Sequence, residues 1–311
     1  KYKAMKKYLF VVLVSTICMV GCRSSKEASK TNQKEVWQTL LVKQLDAKVE
    51  DQIVTVKYNN GTTLCYKILD NFGNVTLTWD RTNGRKNYDD GASSYKGDIS
   101  IPSFITTGEN DEFTFRVVEI DQNAFYGCTG VTSIDIPYSV LRIVDGAFKG
   151  CSAIKKFTVN ENNQSYKDVD GVLFSKDNKM LVKYPAKKET AEYVISEEVS
   201  IICTEAFMDN TFLKKVFIGN FVTAISDNSF KNCTALEEVE LGGNVRIIGA
   251  ESFKNCPKLM LVNARGMWPA HCPNAFDDAA KQNAKLYVPR GQVFNYKRRM
   301  EWRDFKNVQE Y

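Results

Sequence analysis

The 311-residue chain is 43% hydrophobic and 25% charged, a composition typical of a folded protein and unlike that of a disordered or multi-spanning chain. Its formal net charge of +5 comes from 42 basic and 37 acidic residues, but four of the lysines lie within the first seven residues. Without those four the balance is 38 basic against 37 acidic residues, or about +1. A near-neutral chain gives no electrostatic case for binding nucleic acid or an anionic membrane.

The first 21 residues are predicted to be a secretory signal peptide. Lysines precede the apolar stretch of residues 9–14, and the segment ends in a small residue before Cys22. A charged start, a short apolar core and a small residue at the cleavage point distinguish such a signal from a membrane span. Met19–Cys22 resembles a bacterial lipobox, so Cys22 is the expected lipidation site, with an ordinary signal peptide as the alternative. Residues 22–35 are then a polar tether.

Residues 36–94 are predicted to form a β-rich N-terminal cap. An apolar face favours a short helix over residues 37–45. Residues 53–58 and 63–68 flank an Asn-Gly turn and predict a β-hairpin, and residues 75–79 alternate as a further strand. A cap is expected because the open end of a stacked fold would otherwise expose apolar surface.

The chain from residue 95 onward carries a repeat of about 23 residues. Its most regular column is Phe125, Phe148, Phe207, Phe230, Phe253 and Phe276. A small residue precedes each phenylalanine, and Gly, Asn or Asp follows two positions later. Those three residue types tolerate the left-handed backbone that ends a short helical turn. The column three positions after the phenylalanine contains Cys128, Cys151, Cys233 and Cys256.

Apolar residues upstream of each phenylalanine are equally regular. Alternating pairs such as Val216/Ile218 predict short strands with one buried face. Apolar residues also stand five and eight positions before each phenylalanine. In the last unit Trp268 continues the second of these columns, but His271 replaces the isoleucine of the first. Each unit is therefore a strand, a turn, a helical turn and a return. Units this short must stack, which predicts a parallel solenoid of eight rungs.

Two insertions and a terminal segment interrupt the repeat. The 59 residues between Phe148 and Phe207 equal one unit plus an insertion at about residues 160–190, part of which predicts a hairpin. A second insertion spans residues 103–116. The solenoid occupies residues 95–311, and about residues 284–311 form its C-terminal cap.

These units resemble the BspA-like, or Treponema pallidum type, leucine-rich repeats. The resemblance rests on stretches such as "SFKNCTALEEVELGGNVRIIGAESFKNC", on the inserted "YKDVDGVLFSKDNKMLVKYPA" and on the ending "AKLYVPRGQVFNYKRRMEWRDF". It implies a leucine-rich repeat solenoid and a cell-surface lipoprotein of an anaerobic Gram-negative bacterium. Some members of the family are adhesins for host matrix proteins or other bacteria, but a fold does not fix its ligand.

Catalytic chemistry has no support in the sequence. His271 is the only histidine, and it stands in a column of isoleucines, so a partly buried structural side chain is expected. There is no phosphate-binding loop, dinucleotide signature or nucleophile elbow. The acidic pairs at residues 89–90 and 277–278 are interpreted as solvated loop charges, although a carboxylate-only hydrolase stays open. The expected protein is non-enzymatic, without a catalytic residue, metal or cofactor.

The nine cysteines include two in the signal and lipidation segment and four in the repeat column. Adjacent rungs lie within disulfide range, but stacked side chains of one column point in parallel. Buried thiols are therefore expected. The leading functional hypothesis is a surface lipoprotein of the outer membrane that binds protein. The alternatives are glycan capture and a periplasmic structural role.

Outward-facing strand residues fall into two files. In the first, Lys and Glu alternate across the middle rungs, which favours cross-strand charge pairing. The second contains the adjacent apolar residues Val194 and Phe217 and is the candidate ligand-contact face, unless an insertion covers them. This second file is Asp135, Thr158, Val194, Phe217, Glu240, Asn263 and Tyr287.

Overall fold

A computed structural model describes the chain over residues 44–50, 52–80, 93–107 and 113–311. The predicted signal peptide, Cys22 and the tether lie outside these ranges. The first seven strands are β1 (Gln44–Glu50), β2 (Ile53–Tyr58), β3 (Thr63–Ile68), β4 (Asn74–Thr78), β5 (Lys96–Ser100), β6 (Phe104–Thr107) and β7 (Phe113–Ile120). All of these except β5 form one sheet, in the order β1-β2-β3-β4-β7-β6.

The N-terminal sheet confirms the predicted hairpin, because β2 and β3 pair in antiparallel register. The strand predicted at residues 75–79 is β4, which pairs in parallel with β7 and so joins the cap to the repeats. The predicted helix is wrong at Gln44 and Leu45. Both residues lie in β1, where pairing with β2 outweighs a weak helical periodicity. The rest of that predicted helix falls outside the described residues.

The remaining elements continue in chain order. They are β8 (Gly130–Ile136), β9 (Arg142–Ile143), β10 (Lys156–Val159), β11 (Tyr166–Val169), β12 (Val172–Ser175), β13 (Met180–Lys183), β14 (Glu192–Val194), β15 (Ile201–Ile202), β16 (Lys215–Ile218), β17 (Ala224–Ile225), β18 (Glu238–Leu241), β19 (Ile247–Ile248), β20 (Leu261–Ala264), α1 (Asp278–Asn283), β21 (Lys285–Val288), α2 (Val293–Arg298) and β22 (Asn307–Glu310).

These elements form the solenoid that the repeat predicts. One row of parallel strands runs β5-β8-β10, stops, and resumes as β14-β16-β18-β20-β21-β22. We call this row the long-strand sheet. The eight predicted rungs are all present in it, and β22 adds one more parallel strand. A second row, β13-β15-β17-β19, returns the chain on the other side of each turn and is extended by β11 and β12.

The phenylalanine column forms a continuous ring stack through the C-terminal half. The centroids of Phe207, Phe230, Phe253 and Phe276 are 4.6, 5.1 and 4.9 Å apart, and neighbouring rings are within 12° of parallel. Trp302 and Phe305 of the C-terminal segment close this stack at oblique angles. The backbone N–H of Phe230 also donates to the carbonyl of Ser252, at 2.8 Å, so adjacent rungs are joined by hydrogen bonds as well as by rings.

The left-handed turn column is confirmed in five of its six units. The φ angles are positive at Gly127, Gly150, Asp209, Asn232 and Asn255, while the sixth member begins α1. Two amide side chains of this column bond from rung to rung. Asn232 Nδ2 donates to Asp209 Oδ1 at 2.8 Å, and Asn255 Nδ2 donates to Asn232 Oδ1 at 2.9 Å.

Two substitutions of Asn232 should separate its backbone role from its side-chain role. Asn232→Gly keeps the left-handed φ of 62° but removes both ladder hydrogen bonds, and we expect a loss of about 0.5–1.5 kcal/mol. Asn232→Ala adds the strain of a Cβ in left-handed backbone, about 1–2 kcal/mol more. Urea denaturation of the two variants measures the difference, and equal losses would contradict the backbone role.

The repeat cysteines are buried thiols, as expected, and none of them is in a disulfide. Each donates to the backbone of the preceding rung. Cys151 Sγ lies 3.1 Å from the carbonyl of Phe125, and Cys233 Sγ lies 3.2 Å from that of Phe207. Burial raises the pKa of Cys256 to about 12, which keeps this thiol protonated and non-nucleophilic at neutral pH.

The predicted hairpin insertion is present as β12 and β13, and it divides the core. Leu173 of β12 packs with an N-terminal cluster of buried residues, whereas Val172 and Phe174 pack with a C-terminal cluster. Directly after β13, the Tyr184 ring stacks on Phe207 with centroids 4.7 Å apart. Tyr184 therefore takes the place of the phenylalanine that the interrupted unit lacks.

The last repeat unit corrects two predicted burial positions. Trp268 is 64% exposed, and His271 is exposed beside Glu301. The loop between the two strand rows contains one extra residue in this unit, and His271 consequently pairs with the outward residue Ile247. A shift of one residue turns each side chain to the opposite face, so Cys272 is buried where the column predicts His271.

Candidate binding face on the long-strand sheet

The predicted contact file is in register on the long-strand sheet, in two parts. Asp135 pairs with Thr158 in the N-terminal part. In the C-terminal part each member pairs with the next, through Val194, Phe217, Glu240, Asn263 and Tyr287. The insertion separates Thr158 from Val194, because the backbone N–H of Phe157 donates to Gly171 rather than to a further long strand. The seven residues therefore do not form one continuous file.

The apolar centre of the file is accessible at one of its two positions. Val194 is 68% exposed, so the insertion does not cover it. Phe217 is partly buried beneath Lys215, whose Nζ lies 4.5 Å from the ring centroid. The two residues face each other across β14 and β16. Together they present an apolar spot with a cationic rim.

The neighbouring charges are paired across strands. Lys215 Nζ lies 3.0 Å from Glu238 Oε1, which confirms the expected charge pairing in the middle of the first file. Asn263 Nδ2 donates to the same Glu238 oxygen at 3.1 Å, and Arg265 bonds Glu240 at 2.7 Å. Pairs this exposed contribute little stability, about 0–1 kcal/mol each. Their main effect is to hold positive and negative side chains in fixed positions around the apolar spot.

The described part of the chain contains no cluster of side chains suited to binding a metal ion. There, no three His, Cys, Asp or Glu side chains come together as metal ligands. A small cavity of about 30 Å³ lies beside Lys183 and Glu205 at the insertion, roughly the room of two water molecules. Within residues 44–50, 52–80, 93–107 and 113–311, neither helix is long and apolar enough to cross a membrane.

A parallel solenoid with a phenylalanine column, a polar left-handed turn column and a 23-residue period defines a leucine-rich repeat protein. Residues 99–180 and 184–279 match six copies of the BspA type leucine-rich repeat region, and these residues make up more than half of the chain. The chain therefore belongs to the BspA-type leucine-rich repeat family. Proteins of this class are generally non-enzymatic modules that bind other proteins.

Solved structures similar to this chain are bacterial leucine-rich repeat proteins. One from Eubacterium ventriosum is 19% identical, with a TM-score of 0.54 over 86% of this chain and 85% of that one. A leucine-rich cell surface protein from Faecalibacterium prausnitzii is 17% identical, with a TM-score of 0.46 over 86% and 95%. A Treponema pallidum leucine-rich repeat protein is 18% identical, with a TM-score of 0.30 over 74% and 84%. No curated protein matches the chain.

Proposed function

We propose that this chain is a cell-surface lipoprotein that binds a partner protein through the C-terminal part of the predicted file. The observation that supports this proposal is the apolar spot formed by Val194 and Phe217, which is surrounded by the ion pairs Lys215–Glu238 and Arg265–Glu240. Mixed charge around an apolar centre is typical of protein contact sites. A glycan site would favour a row of aromatic rings, and here Phe217 and Tyr287 are three rungs apart.

The proposed location follows from the N-terminal sequence. The lipobox-like Met19–Cys22 and the polar residues 22–35 support attachment of the mature chain to the outer membrane through Cys22. The family relationship favours the cell surface, with host matrix proteins or proteins of other bacteria as candidate partners, and adhesion as the role. A periplasmic structural protein is the competing function.

The binding face is tested by Val194→Ser combined with Phe217→Ala, screened against an array of host matrix proteins and glycans. We expect at least a tenfold loss of binding to the captured protein, because a contact centre contributes upward of about 1–2 kcal/mol. The melting temperature should change little, since Val194 is mostly exposed and Phe217, although partly buried, is outside the C-terminal cluster of buried residues.

Phe72→Ala is the matched control, because Phe72 is 77% exposed in the N-terminal cap, away from the proposed face. It should leave binding intact. Intact binding by the double variant, with a large fall in melting temperature, would show that these two side chains serve the fold. Capture of glycans alone would favour the glycan function.

A further inference from the structure

The C-terminal segment concentrates basic and apolar side chains on an otherwise near-neutral chain. Residues 289–306 contain six basic and two acidic residues. Large apolar side chains in and beside this segment are unusually exposed: Phe294 by 67%, Met300 by 69% and Trp268 by 64%. We call Trp268, Phe294, Arg298, Arg299 and Met300 the C-terminal basic patch.

Three contacts hold the loop of residues 266–271 against this segment. Tyr296 Oη donates to the carbonyl of Gly266 at 2.9 Å. Trp302 Nε1 donates to the carbonyl of Ala270 at 2.7 Å, and His271 lies 2.9 Å from Glu301. The side chains that make the first two contacts are buried, which leaves the exposed side chains of both segments on the outside.

The outward side of α2 combines an aromatic ring with a cation. Phe294 and Arg298 are four residues apart, and the guanidinium carbon of Arg298 lies 5.3 Å from the ring centroid. Tyr296, by contrast, points into the core. Lys297 and Arg298 both lie in the last turn of α2, where a basic residue interacts favourably with the helix dipole. That interaction accounts for the position of Arg298, but not for the exposure of the apolar side chains of Phe294 and Met300.

The negative charges of the segment are already engaged. Glu301 is paired with His271, and Asp304 lies 3.7 Å from Arg303. Arg298 and Arg299 form no ion pair with any residue in the described part of the chain. The patch consequently presents uncompensated positive charge next to exposed apolar side chains.

We propose that the C-terminal basic patch binds the surface of an anionic membrane. Arg298 and Arg299 would contact negatively charged lipid headgroups, and Phe294, Met300 and Trp268 would enter the boundary between headgroups and acyl chains. This combination is the side-chain chemistry of interfacial membrane contact. An anionic polysaccharide would match the charge, but it offers no apolar volume in which methionine and phenylalanine become buried. The inference is independent of the proposed protein-binding face.

The test uses residues 22–311 with Cys22→Ser, so that neither the predicted signal peptide nor an acyl group contributes, and vesicles of phosphatidylcholine with or without phosphatidylglycerol. We expect binding that depends on phosphatidylglycerol and weakens with salt. Brominated lipids should quench Trp268 fluorescence, and the part of the quenching that Trp268→Phe removes is the readout, because Trp37 in the N-terminal region could also be quenched. Arg298→Glu with Arg299→Glu should weaken binding by at least about twentyfold, at roughly fivefold for each basic residue.

Matched controls separate the patch from net charge and from misfolding. Lys57→Glu with Lys67→Glu makes the same change of charge on exposed positions of the N-terminal cap and should alter binding much less. Phe294→Ser with Met300→Ser should lose binding about tenfold with both arginines in place. Binding without phosphatidylglycerol, equal losses for both charge reversals, or capture of an anionic polysaccharide that is insensitive to Phe294→Ser would overturn the proposal. Arg298→Gln with Arg299→Gln repeats the test if the charge reversal lowers the melting temperature.

Discussion

Replacing Phe230 with alanine is expected to lower the free energy of unfolding by about 3–5 kcal/mol, the largest stability effect of any single change considered for this protein. The Phe230 ring is fully buried and lies between Phe207 at 4.6 Å and Phe253 at 5.1 Å. Its removal therefore leaves a cavity and breaks two stacked pairs. The neighbouring rungs cannot collapse into the gap, because backbone hydrogen bonds such as that from Phe230 to Ser252 fix their spacing.

Chemical denaturation followed by circular dichroism measures the effect. Cys233→Ala is the internal comparison and should cost less, because it removes one buried sulfur atom and its bond to the carbonyl of Phe207. Phe72→Ala should cost almost nothing, since that ring is 77% exposed. A Phe230→Ala variant no less stable than Cys233→Ala would contradict the view that the ring stack carries the core.

Replacing Cys22 with serine is expected to abolish labelling by a fatty-acid analogue and to release the protein from membranes washed with high salt, which also screens any contact through the C-terminal basic patch. The thiol of Cys22 is the predicted attachment point, and a serine hydroxyl does not replace it. One acyl chain holds a protein only weakly, but the several chains of a lipoprotein hold it firmly, so the change should be close to all-or-none. Fractionation, labelling and intact mass check the result together.

Cys18→Ser is the matched control, because Cys18 lies within the same segment but upstream of the expected cleavage point. It should leave labelling and membrane retention unchanged. A Cys22→Ser protein that remains in the membrane with unchanged mass would contradict lipidation at this position. An unlabelled protein secreted in both forms would instead indicate an ordinary signal peptide.

Periodicity is sufficient to predict the solenoid because each column indicates a different local structure. The phenylalanine column indicates a buried ring, the Gly/Asn/Asp column indicates left-handed backbone, and the alternating pairs indicate a strand. The three columns keep the same relative spacing from Phe125 to Phe276, so the register of the rungs could be predicted without a structure. The hairpin of β2 and β3 was predictable for a similar local reason, its Asn-Gly turn.

The errors occur where a local pattern competes with tertiary contacts. Gln44 and Leu45 fit a helical face, but β2 offers them a partner strand. His271 and Trp268 are displaced by one extra loop residue, and counting backward from Phe276 cannot reveal such a shift. The role of Tyr184 cannot be predicted from the repeat, because Tyr184 belongs to the insertion. Only the folded chain shows that it fills the phenylalanine position above Phe207.

The candidate sites show the same division. Alternation predicted which residues share the outer face of each strand, and the registers of Val194 with Phe217 and of Phe217 with Glu240 agree with it. The interruption between Thr158 and Val194 could not be predicted, because it depends on where the insertion packs. The C-terminal basic patch could not be predicted from the sequence either. The net charge is summed over the whole chain, and the exposure of a side chain depends on the fold.

The placement of β12 has a consequence for how the molecule loses its structure. The N-terminal and C-terminal clusters of buried residues meet at the inserted hairpin, where Leu173 and Val182 pack with the first cluster and Phe174 and Leu181 with the second. The long-strand sheet does not cross that boundary. In repeat proteins cooperativity passes through the interfaces between neighbours, so a weak interface lets adjacent blocks open separately. A substitution in the ring stack of Phe207–Phe276 should then unfold the C-terminal block and leave the N-terminal block folded. We therefore expect the chain to unfold as two short solenoids in series, each with its own terminal cap.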